Sequence, residues 1–285
     1  MTYALTGSTG ALGNLVIQHL LALKVPASSI VALARSEAKA SELKAKGVQV
    51  RIGDYGNKAS LESAFRGVDR LLLVSGSEVG KRSAQHQAVI ESAKAAGVKV
   101  LVYTSISQAD RSTNPLAPEH KATEAALKAS GLSHVVLRDN WYTENYLDDV
   151  RQAKVSGQIA AAVGAGKVAS ASRSDYAEAA ARVLVGQGHE GKIYELTGSR
   201  AWDYQELAKA AAELVGRPVA FKNLTAVERR NSLVAAGLPE GAAAFVTSLD
   251  QAIEAGTLAA VSDDLERLLG RKPLSLKDGL RAALG

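Results

Sequence analysis

The stretch TGSTGALGNL, Thr6 to Leu15, decides the fold, because its glycines at positions 7, 10 and 13 follow a short apolar run. A turn that leaves a buried strand and opens a helix places backbone N–H groups at the positive end of that helix, where a phosphate is stabilised. Glycines let the backbone turn sharply and approach a ligand, and the third glycine lets the helix pack against the sheet. A tight turn without a ligand would explain an isolated glycine pattern equally well.

The residues that follow alternate between strand-like and helix-like segments. In chain order, the predicted strands of the first half lie at Leu5, Ile30 to Ala34, Val48 to Ile52, Leu71 to Val74, Lys99 to Thr104 and His134 to Arg138. Apolar runs such as LLLV and VLVY are typical of parallel strands buried on both faces. Helical periodicity between them, as at Leu12, Val16 and Leu20, predicts an α/β fold with a doubly wound parallel (Rossmann) sheet. In this context the glycine loop predicts a dinucleotide-binding site.

The pattern changes after about Asn145, and helices dominate from Asp203 onward. One more strand is predicted at Ile193 to Leu196. The predicted helices are Asp175 to Val185 with a cap at Ser174, Tyr204 to Val215, Ala226 to Ala236, Ala242 to Ala255, and a terminal pair around Leu265 and Leu280. We therefore predict a Rossmann domain over residues 1–150 and a smaller, mostly helical portion over residues 151–285, which is partly interleaved with the first.

Composition narrows the classes of function. The 285 residues include no cysteine, which excludes disulfides, thiol catalysis and the usual zinc frameworks, and no metal site is predicted. The N-terminal residues do not resemble a signal peptide, and no apolar run approaches the roughly 18 to 20 residues of a membrane span. The net charge of +5 is scattered along the chain, so neither nucleic acid nor membrane is an expected partner. We expect a cytoplasmic protein, with a homodimer left open.

The residues at the ends of the predicted strands indicate which dinucleotide fits. The strand IVALA ends in Arg35-Ser36, with no acid before Glu37. An acid at this point would bind the ribose 2′-hydroxyl of NAD, whereas a guanidinium pairs with a 2′-phosphate. Arg35 could be an ordinary solvated surface arginine, but its position favours NADP as the cofactor. Asp54-Tyr55 would lie near the adenine or form a simple turn. The small residues Ser75 to Ser77, after the fourth strand, would let a ribose pass, although a plain turn has the same composition.

Several longer motifs resemble a known family. TGSTGALG, Arg35, GDY at 53 to 55, the block LLLVSGSEVGKRSAQHQAVIESAKAAGVKVLVYTS and LRDNWYTENYL together resemble the NmrA-like branch of the atypical short-chain dehydrogenases/reductases. Within it, the chain is most similar to the bacterial type 2 NADPH:quinone oxidoreductases. The resemblance extends over nearly the whole chain. It implies NADPH in a cleft between a Rossmann domain and a small C-terminal domain, and reduction of a quinone without a flavin.

The resemblance also implies roles for particular residues. It assigns the pyrophosphate to Gly7, Ser8, Thr9, Gly10, Ala11 and Leu12, with Gly13 completing the loop, the 2′-phosphate to Arg35, and the ribose to Ser75, Gly76 and Ser77. It places Asp139, Asn140, Trp141, Tyr142, Thr143, Glu144 and Ser170 around the nicotinamide. The family has Asn-Gly where this chain has Asp139-Asn140.

The catalytic pair of typical short-chain dehydrogenases, Tyr-x-x-x-Lys, is absent from the helix PEHKATEAALKASG. His120 and Glu124 have the same i, i+4 spacing and would share one helix face. A His-Glu relay is one interpretation. The other is a structural hydrogen bond or a substrate-facing wall, with Glu124 and Lys128 forming an exposed pair.

The missing tyrosine favours a quinone over a ketone as the hydride acceptor. A reduced ketone is a localised alkoxide that needs a proton donor, whereas a reduced quinone delocalises its charge and can take a proton from water. We therefore expect hydride transfer from NADPH to a quinone that is bound between the side chains of Trp141, Tyr142 and Tyr146, unless those aromatics are ordinary packing.

The alternative function is a non-catalytic NADP(H)-binding redox sensor of the NmrA type. A third reading, a carbonyl reductase or epimerase, would need an acid or base that the sequence does not reveal.

Overall fold

The computed structural model describes residues 1–36 and 38–285. Glu37, the first acid after the second predicted strand, lies outside the described residues. Seven parallel strands form the central sheet, in the order β3-β2-β1-β4-β5-β6-β9. These strands are β1 (Tyr3–Leu5), β2 (Ile30–Ala34), β3 (Gln49–Ile52), β4 (Arg70–Leu73), β5 (Val100–Ile106), β6 (Ser133–Asp139) and β9 (Ile193–Leu196). The predicted doubly wound α/β fold is confirmed.

Alternate residues of the inner strands β2, β1, β4, β5 and β6 enter two separate apolar layers. In β6, Val135 and Leu137 pack in one layer and Val136 packs in the other. The first layer contains α1 (Ala11–Ala22), α2 (Ser41–Ala45), α7 (Arg173–Val185) and α11 (Asp264–Leu269). The second contains α3 (Lys58–Ala64), α4 (Arg82–Ala95) and α5 (Ala117–Ser130). Burial on both faces explains the near-continuous apolar strand sequences.

A third apolar cluster forms the C-terminal lobe. Its helices are α6 (Leu147–Ser156), α8 (Tyr204–Val215), α9 (Ala226–Ala235), α10 (Glu240–Glu254) and α12 (Leu276–Leu284). Two small sheets accompany them: β7 (Gln158–Ala161) pairs with β11 (Ala220–Asn223), and β8 (Lys167–Val168) pairs with β10 (Trp202–Asp203). The mostly helical character was predicted, whereas these short strands were not.

The chain passes repeatedly between the sheet and the lobe. After β6 it enters the lobe, returns for α7 and β9, enters the lobe again from β10 to α10, returns for α11, and ends in the lobe at α12. The domain boundary at residue 150 stays a prediction. The apolar layer around α1 also contains α7 and α11, which follow residue 150 in the chain.

Two local predictions need correction. The cap of α7 is Ser172 instead of Ser174, and its side chain accepts a hydrogen bond from the Asp175 N–H. Glu124 pairs with Arg138 at 2.7 Å, so the expected exposed pair with Lys128 is wrong. Asn57 caps α3 by accepting a hydrogen bond from the Ser60 N–H.

Candidate functional site

The glycine loop lies where the strand order reverses, since the chain moves outward from β1 to β3 and then returns to β4 on the other side of β1. Ligands of open α/β sheets bind at such points. Gly7 has φ of 61°, a conformation that favours glycine. A Cβ on Gly13 would lie 2.3 Å from the Gly7 carbonyl oxygen, so the start of α1 can approach the loop this closely only with glycine there.

The N-terminus of α1 is suited to an anion. Gly10 precedes the helix and supplies no side-chain cap, and the first turn contains no acidic residue. The first N–H groups of α1 therefore lack side-chain acceptors and stand at the positive end of the helix dipole. This donor set fits a phosphate or pyrophosphate.

A cleft of about 470 Å³ opens above this loop. Residues predicted for the site that line it are Gly7, Thr9, Gly10, Ala11, Leu12, Gly13, Arg35, Ser75, Gly76, Ser77 and Tyr142. Asp54 and Tyr55, expected near an adenine, also line it, as do Glu78, Arg82, Gln85 and Arg173, which the sequence did not single out. Ser8 is buried below the loop, where its hydroxyl donates to the Leu5 carbonyl.

Arg35 is available for an anionic ligand. Its side chain is 68% exposed, and its described partner is Glu78, with 3.8 Å between Nη1 and Oε1. An exposed ion pair of this length is weak and is easily exchanged for a stronger one. The guanidinium therefore fits a phosphate at the rim of the cleft.

Buried groups hold the Ser75–Ser77 loop from behind. The Ser75 N–H donates to Thr104 Oγ1 at 2.9 Å, the Gly76 N–H donates to His86 Nε2 at 3.0 Å, and Arg82 Nε donates to the Gly76 carbonyl at 2.6 Å. His86 must accept at Nε2, because a backbone N–H only donates. Burial and then Arg82 lower the pKa of His86 to about 4, which keeps the imidazole neutral and the loop anchored.

The structure separates the predicted pair His120 and Glu124. His120 is buried, and its Nδ1 lies 2.8 Å from Tyr103 Oη while its Nε2 lies 3.4 Å from Arg82 Nη1. Burial and then Arg82 lower its pKa to about 3. Glu124 instead accepts from Ser105 and from Arg138. His120 therefore supports Arg82 beneath the cleft. His120 and Glu124 do not contact each other as a relay would require.

The segment after β6 connects the sheet to the lobe. Asn140 Nδ2 donates to the Leu258 carbonyl, and Glu144 accepts from the Arg173 N–H at the start of α7. Thr143 Oγ1 lies 2.9 Å from Ser170 Oγ, which also accepts from Trp202 Nε1 at 3.0 Å. These polar side chains fix the segment that carries Tyr142 against the cleft.

The three predicted aromatic residues have different environments. Tyr142 lines the cleft, with the edge of Tyr176 on one side and the Arg173 guanidinium 5.2 Å from its ring centroid. Trp141 is half-buried and packs against the core of the lobe. Tyr146 lies inside that core, in edge contact with Trp202 at 5.0 Å between ring centroids. Of the three, Tyr142 has the direct access to the described cleft.

Asp139 is a predicted site residue whose ionisation is strongly perturbed. It ends β6, is buried, and accepts a long hydrogen bond of 3.4 Å from Tyr142 Oη at its Oδ2 atom. Burial raises the pKa of its carboxyl to about 8. The carboxyl is therefore mostly protonated at neutral pH.

Two properties of the described residues bear on other classes of site. Within residues 1–36 and 38–285, no cluster of three or more His, Cys, Asp or Glu side chains could hold a metal ion. Over the same residues, no helix is both long and apolar enough to cross a membrane.

The fold and the anion-binding cleft together define a dinucleotide-binding protein, and comparison with known proteins identifies the family. The chain belongs to the NAD(P)H-binding family, which matches residues 7–186. It is 46% identical to quinone oxidoreductase 2 of Escherichia coli over 277 residues, or 97% of this chain and 96% of that protein. The predicted resemblance to the quinone oxidoreductases is confirmed.

Solved structures show the same similarity. An NADPH-dependent quinone oxidoreductase of Escherichia coli, in complex with NADPH, superposes with a TM-score of 0.96 and 45% identity over 100% of both chains. The triphenylmethane reductase of Citrobacter sp., in complex with NADP(H), gives a TM-score of 0.95 and 41% identity, covering 99% of this chain and 100% of that one.

Proposed function

We propose that this protein is a flavin-independent NADPH:quinone oxidoreductase, which catalyses direct hydride transfer from NADPH to a quinone bound between the sheet and the C-terminal lobe. The observation that carries the proposal is the likeness to the quinone oxidoreductase of Escherichia coli over nearly the full length of both proteins. The cleft supports it independently, because it combines an uncapped helix N-terminus with an exposed arginine at the end of β2.

The residues of the cleft divide the binding of NADPH among them. The N–H groups from Gly7 to Gly13 would hold the pyrophosphate, and Arg35 would pair with the 2′-phosphate. Ser75 to Ser77, anchored by His86 and Arg82, would lie along the ribose next to the nicotinamide. When bound, NADPH supplies the hydride for the reaction.

The nicotinamide end would lie toward the segment from Asp139 to Glu144 and Ser170. Tyr142 presents an aromatic surface against which a flat acceptor can stack, with Trp141 farther into the lobe. Because the described lining provides few groups besides Tyr142 near this end, the residues act mainly by orienting the acceptor.

A cationic dye is a second candidate acceptor, favoured by the likeness to the triphenylmethane reductase. Neither a quinone nor a triphenylmethane cation becomes a localised alkoxide when it takes up a hydride: the reduced quinone delocalises its negative charge, and the reduced dye is neutral. A ketone does become a localised alkoxide, so we expect ketones to be poor substrates. The cytoplasmic location, the homodimer and the lack of nucleic-acid binding stay predictions.

The test is NADPH oxidation with a small benzoquinone or naphthoquinone, followed by absorbance with purified, flavin-free protein. Protein-dependent turnover that prefers NADPH over NADH is the expected result. Oxidation no faster than in the protein-free control, together with tight NADPH binding, would instead favour the redox sensor. A ketone and a triphenylmethane dye measured under the same conditions would define the acceptor class.

Arg35→Ala tests the cofactor assignment. Loss of a charged hydrogen-bonding partner costs about 1.5–3 kcal/mol, so we expect the KM for NADPH to rise roughly 10- to 100-fold and the KM for NADH to change little. Arg66→Ala is the matched control, because Arg66 is also exposed but does not line the cleft. Equal effects of Arg35→Ala on both cofactors would contradict the assignment.

A further inference from the structure

Asp139 lies at the cleft end of β6 on the face that packs toward α1 and α7. Val135 and Leu137 share its parity along the strand and belong to the layer around α7. Its neighbour Arg138 points to the opposite face, where it binds Glu124, Asp110 and Glu195. That guanidinium is therefore fully engaged on the other side of the sheet and does not neutralise Asp139.

The side chain of Tyr142 connects Asp139 with the cleft. Its hydroxyl lies 3.4 Å from Asp139 Oδ2, and the residue also lines the cleft. Tyr176 packs against its ring in a T-shaped contact with 5.5 Å between ring centroids, and Arg173 covers one face of it. These contacts fix the ring, so Asp139, Tyr142 and the cleft are adjacent in that order.

The other ionisable groups near this pair are accounted for. From α7, Arg173 lies over the Tyr142 ring and also binds Asn145, while Tyr176 packs beside it. From the segment after β6, Glu144 caps the N-terminus of α7. On β9, the neighbouring strand, Glu195 binds Arg138 and the Gln108 N–H. No cation of the described chain forms an ion pair with Asp139, so burial without a counter-charge favours its neutral, proton-donating form.

We propose that Tyr142 and Asp139 form a proton relay that protonates the quinone oxygen as hydride is transferred. Tyr142 is the group that touches the acceptor, and Asp139 is a positioning residue that acts through it. The inference rests on the proposed function and supplies the acid that the missing Tyr-x-x-x-Lys pair left unassigned. Burial and then Asp139 raise the pKa of the Tyr142 phenol well above its ordinary value, so the phenol would pass on the proton of the neutral Asp139 carboxyl and would not ionise by itself.

The atoms and electrons of the step balance. The quinone gains the hydride with its electron pair and one proton, and leaves as the hydroquinone. The O–H bond of Tyr142 breaks as the O–H bond of the hydroquinone forms, and the O–H bond of the Asp139 carboxyl breaks as the tyrosine hydroxyl is restored. The Asp139 carboxylate then takes a proton from water before the next turnover.

Kinetics of Asp139→Asn and Tyr142→Phe test the relay. We expect the wild-type kcat to be constant in mild acid and to fall as the pH rises past about 8, where Asp139 loses its proton. Both variants should show a kcat lowered about tenfold to a hundredfold without that pH dependence, because general acids contribute such factors or more. The KM for NADPH should stay within about twofold of wild type, since neither hydroxyl nor carboxyl is assigned to the cofactor phosphates.

Tyr194→Phe is the matched control for the tyrosine. The Tyr194 hydroxyl also bonds an ionisable partner, His189 at 2.7 Å, but lies outside the cleft. The deficit of Tyr142→Phe should also be largest for quinones whose hydroquinones are the weakest acids, because those products depend most on a donor. A deficit that is the same for all quinones, with an unchanged pH profile, would indicate packing alone and overturn the relay.

Infrared difference spectra of the protein without cofactor provide a readout besides activity. The carbonyl band of a protonated carboxyl, assigned by its loss in Asp139→Asn, should disappear as the pH rises past about 8. The absence at pH 6 of any carbonyl band that is lost in Asp139→Asn would overturn the relay. Wild-type protein that reduces no quinone would remove the proposed function and the relay together, whereas turnover with wild-type kcat and pH profile in both variants would overturn the relay alone.

Discussion

Gly13 shows how one residue sets the distance between the glycine loop and α1. The Cβ of an alanine would meet the backbone of Gly7 and Ser8, which cannot rotate away as a side chain would. The steric clash therefore outweighs the gain in helix propensity of about 1 kcal/mol that alanine normally provides over glycine.

We expect Gly13→Ala to lower the free energy of unfolding by about 1–3 kcal/mol, the range for overpacking, and to weaken NADPH binding. Gly10→Ala is the control, because a Cβ there meets the Gly7 carbonyl oxygen at a milder 3.2 Å. Denaturant unfolding of the protein without cofactor measures both variants. Equal stability of Gly13→Ala and wild type would show that α1 can move away from the loop without cost.

Much of the site at this scale could be predicted from sequence. The glycine spacing and the strand-ending Arg35 are local signals, and both line the cleft. Arg82 and Arg173 could not be found in the same way, because their access to the cleft depends on how α4 and α7 pack. The burial of Tyr146 and the separation of His120 from Glu124 likewise depend on tertiary contacts with Trp202 and Arg138.

At the scale of elements, α7 shows how one helix is joined to a distant segment. Ser172 caps it, and Asp175 at its third position is buried, accepting from the Ser172 hydroxyl and the Leu274 N–H. Arg271 completes the contact with 2.8 Å between Nη1 and Asp175 Oδ1. The carboxylate thus ties the start of α7 to the chain that leads into α12.

Asp175→Ala should lower the free energy of unfolding by about 3 kcal/mol, because removal of one partner from a buried pair leaves donors unsatisfied. Arg271 is partly exposed and can regain water, which places the cost at the lower end of the known range. Asp278→Ala is the matched control: Ser275 and Asp278 begin α12 in the same way but are exposed, and its cost should stay below about 1 kcal/mol. Similar costs for both variants in denaturant unfolding would contradict this account.

The strands of the central sheet and most helices were predictable, since each is long or apolar enough to leave a periodic pattern. The strands β7, β8, β10 and β11 were not, because they lie outside the alternation of strands and helices in the first half and pair with segments far along the chain. The capping error has a similar origin. Ser172 and Ser174 are both residues that cap helices well, and the contacts of Asp175 with Arg271 and Leu274 favour the earlier start.

At the scale of the whole molecule, residues 1–150 do not contain all of the layer that covers their own sheet. Tyr176, Val183 and Leu184 of α7 and Leu265 of α11 are buried in that layer beside Leu5 and Val16. Without them part of one face of the sheet would be exposed to water, and β6 would become an edge strand.

A fragment of residues 1–150 should therefore fail to fold as a monomer, despite containing the entire glycine loop. We expect exposed apolar surface, detected by dye binding, and no cooperative thermal transition, while the full chain shows one. A monomeric fragment that unfolds cooperatively and binds NADPH would contradict this expectation.

The repeated passage of the chain between sheet and lobe also bears on how proteins of this kind diverge. Recombination that exchanged the lobe as one block would have to replace separate stretches of the gene and restore every return to the sheet. We therefore expect that the set of acceptors reduced by such proteins changes through substitutions and loop-length changes within the lobe segments. The central sheet with its glycine loop would be kept. Variation among descendants should accordingly concentrate between β6 and α7 and between β9 and α11, with the two stretches changing in concert.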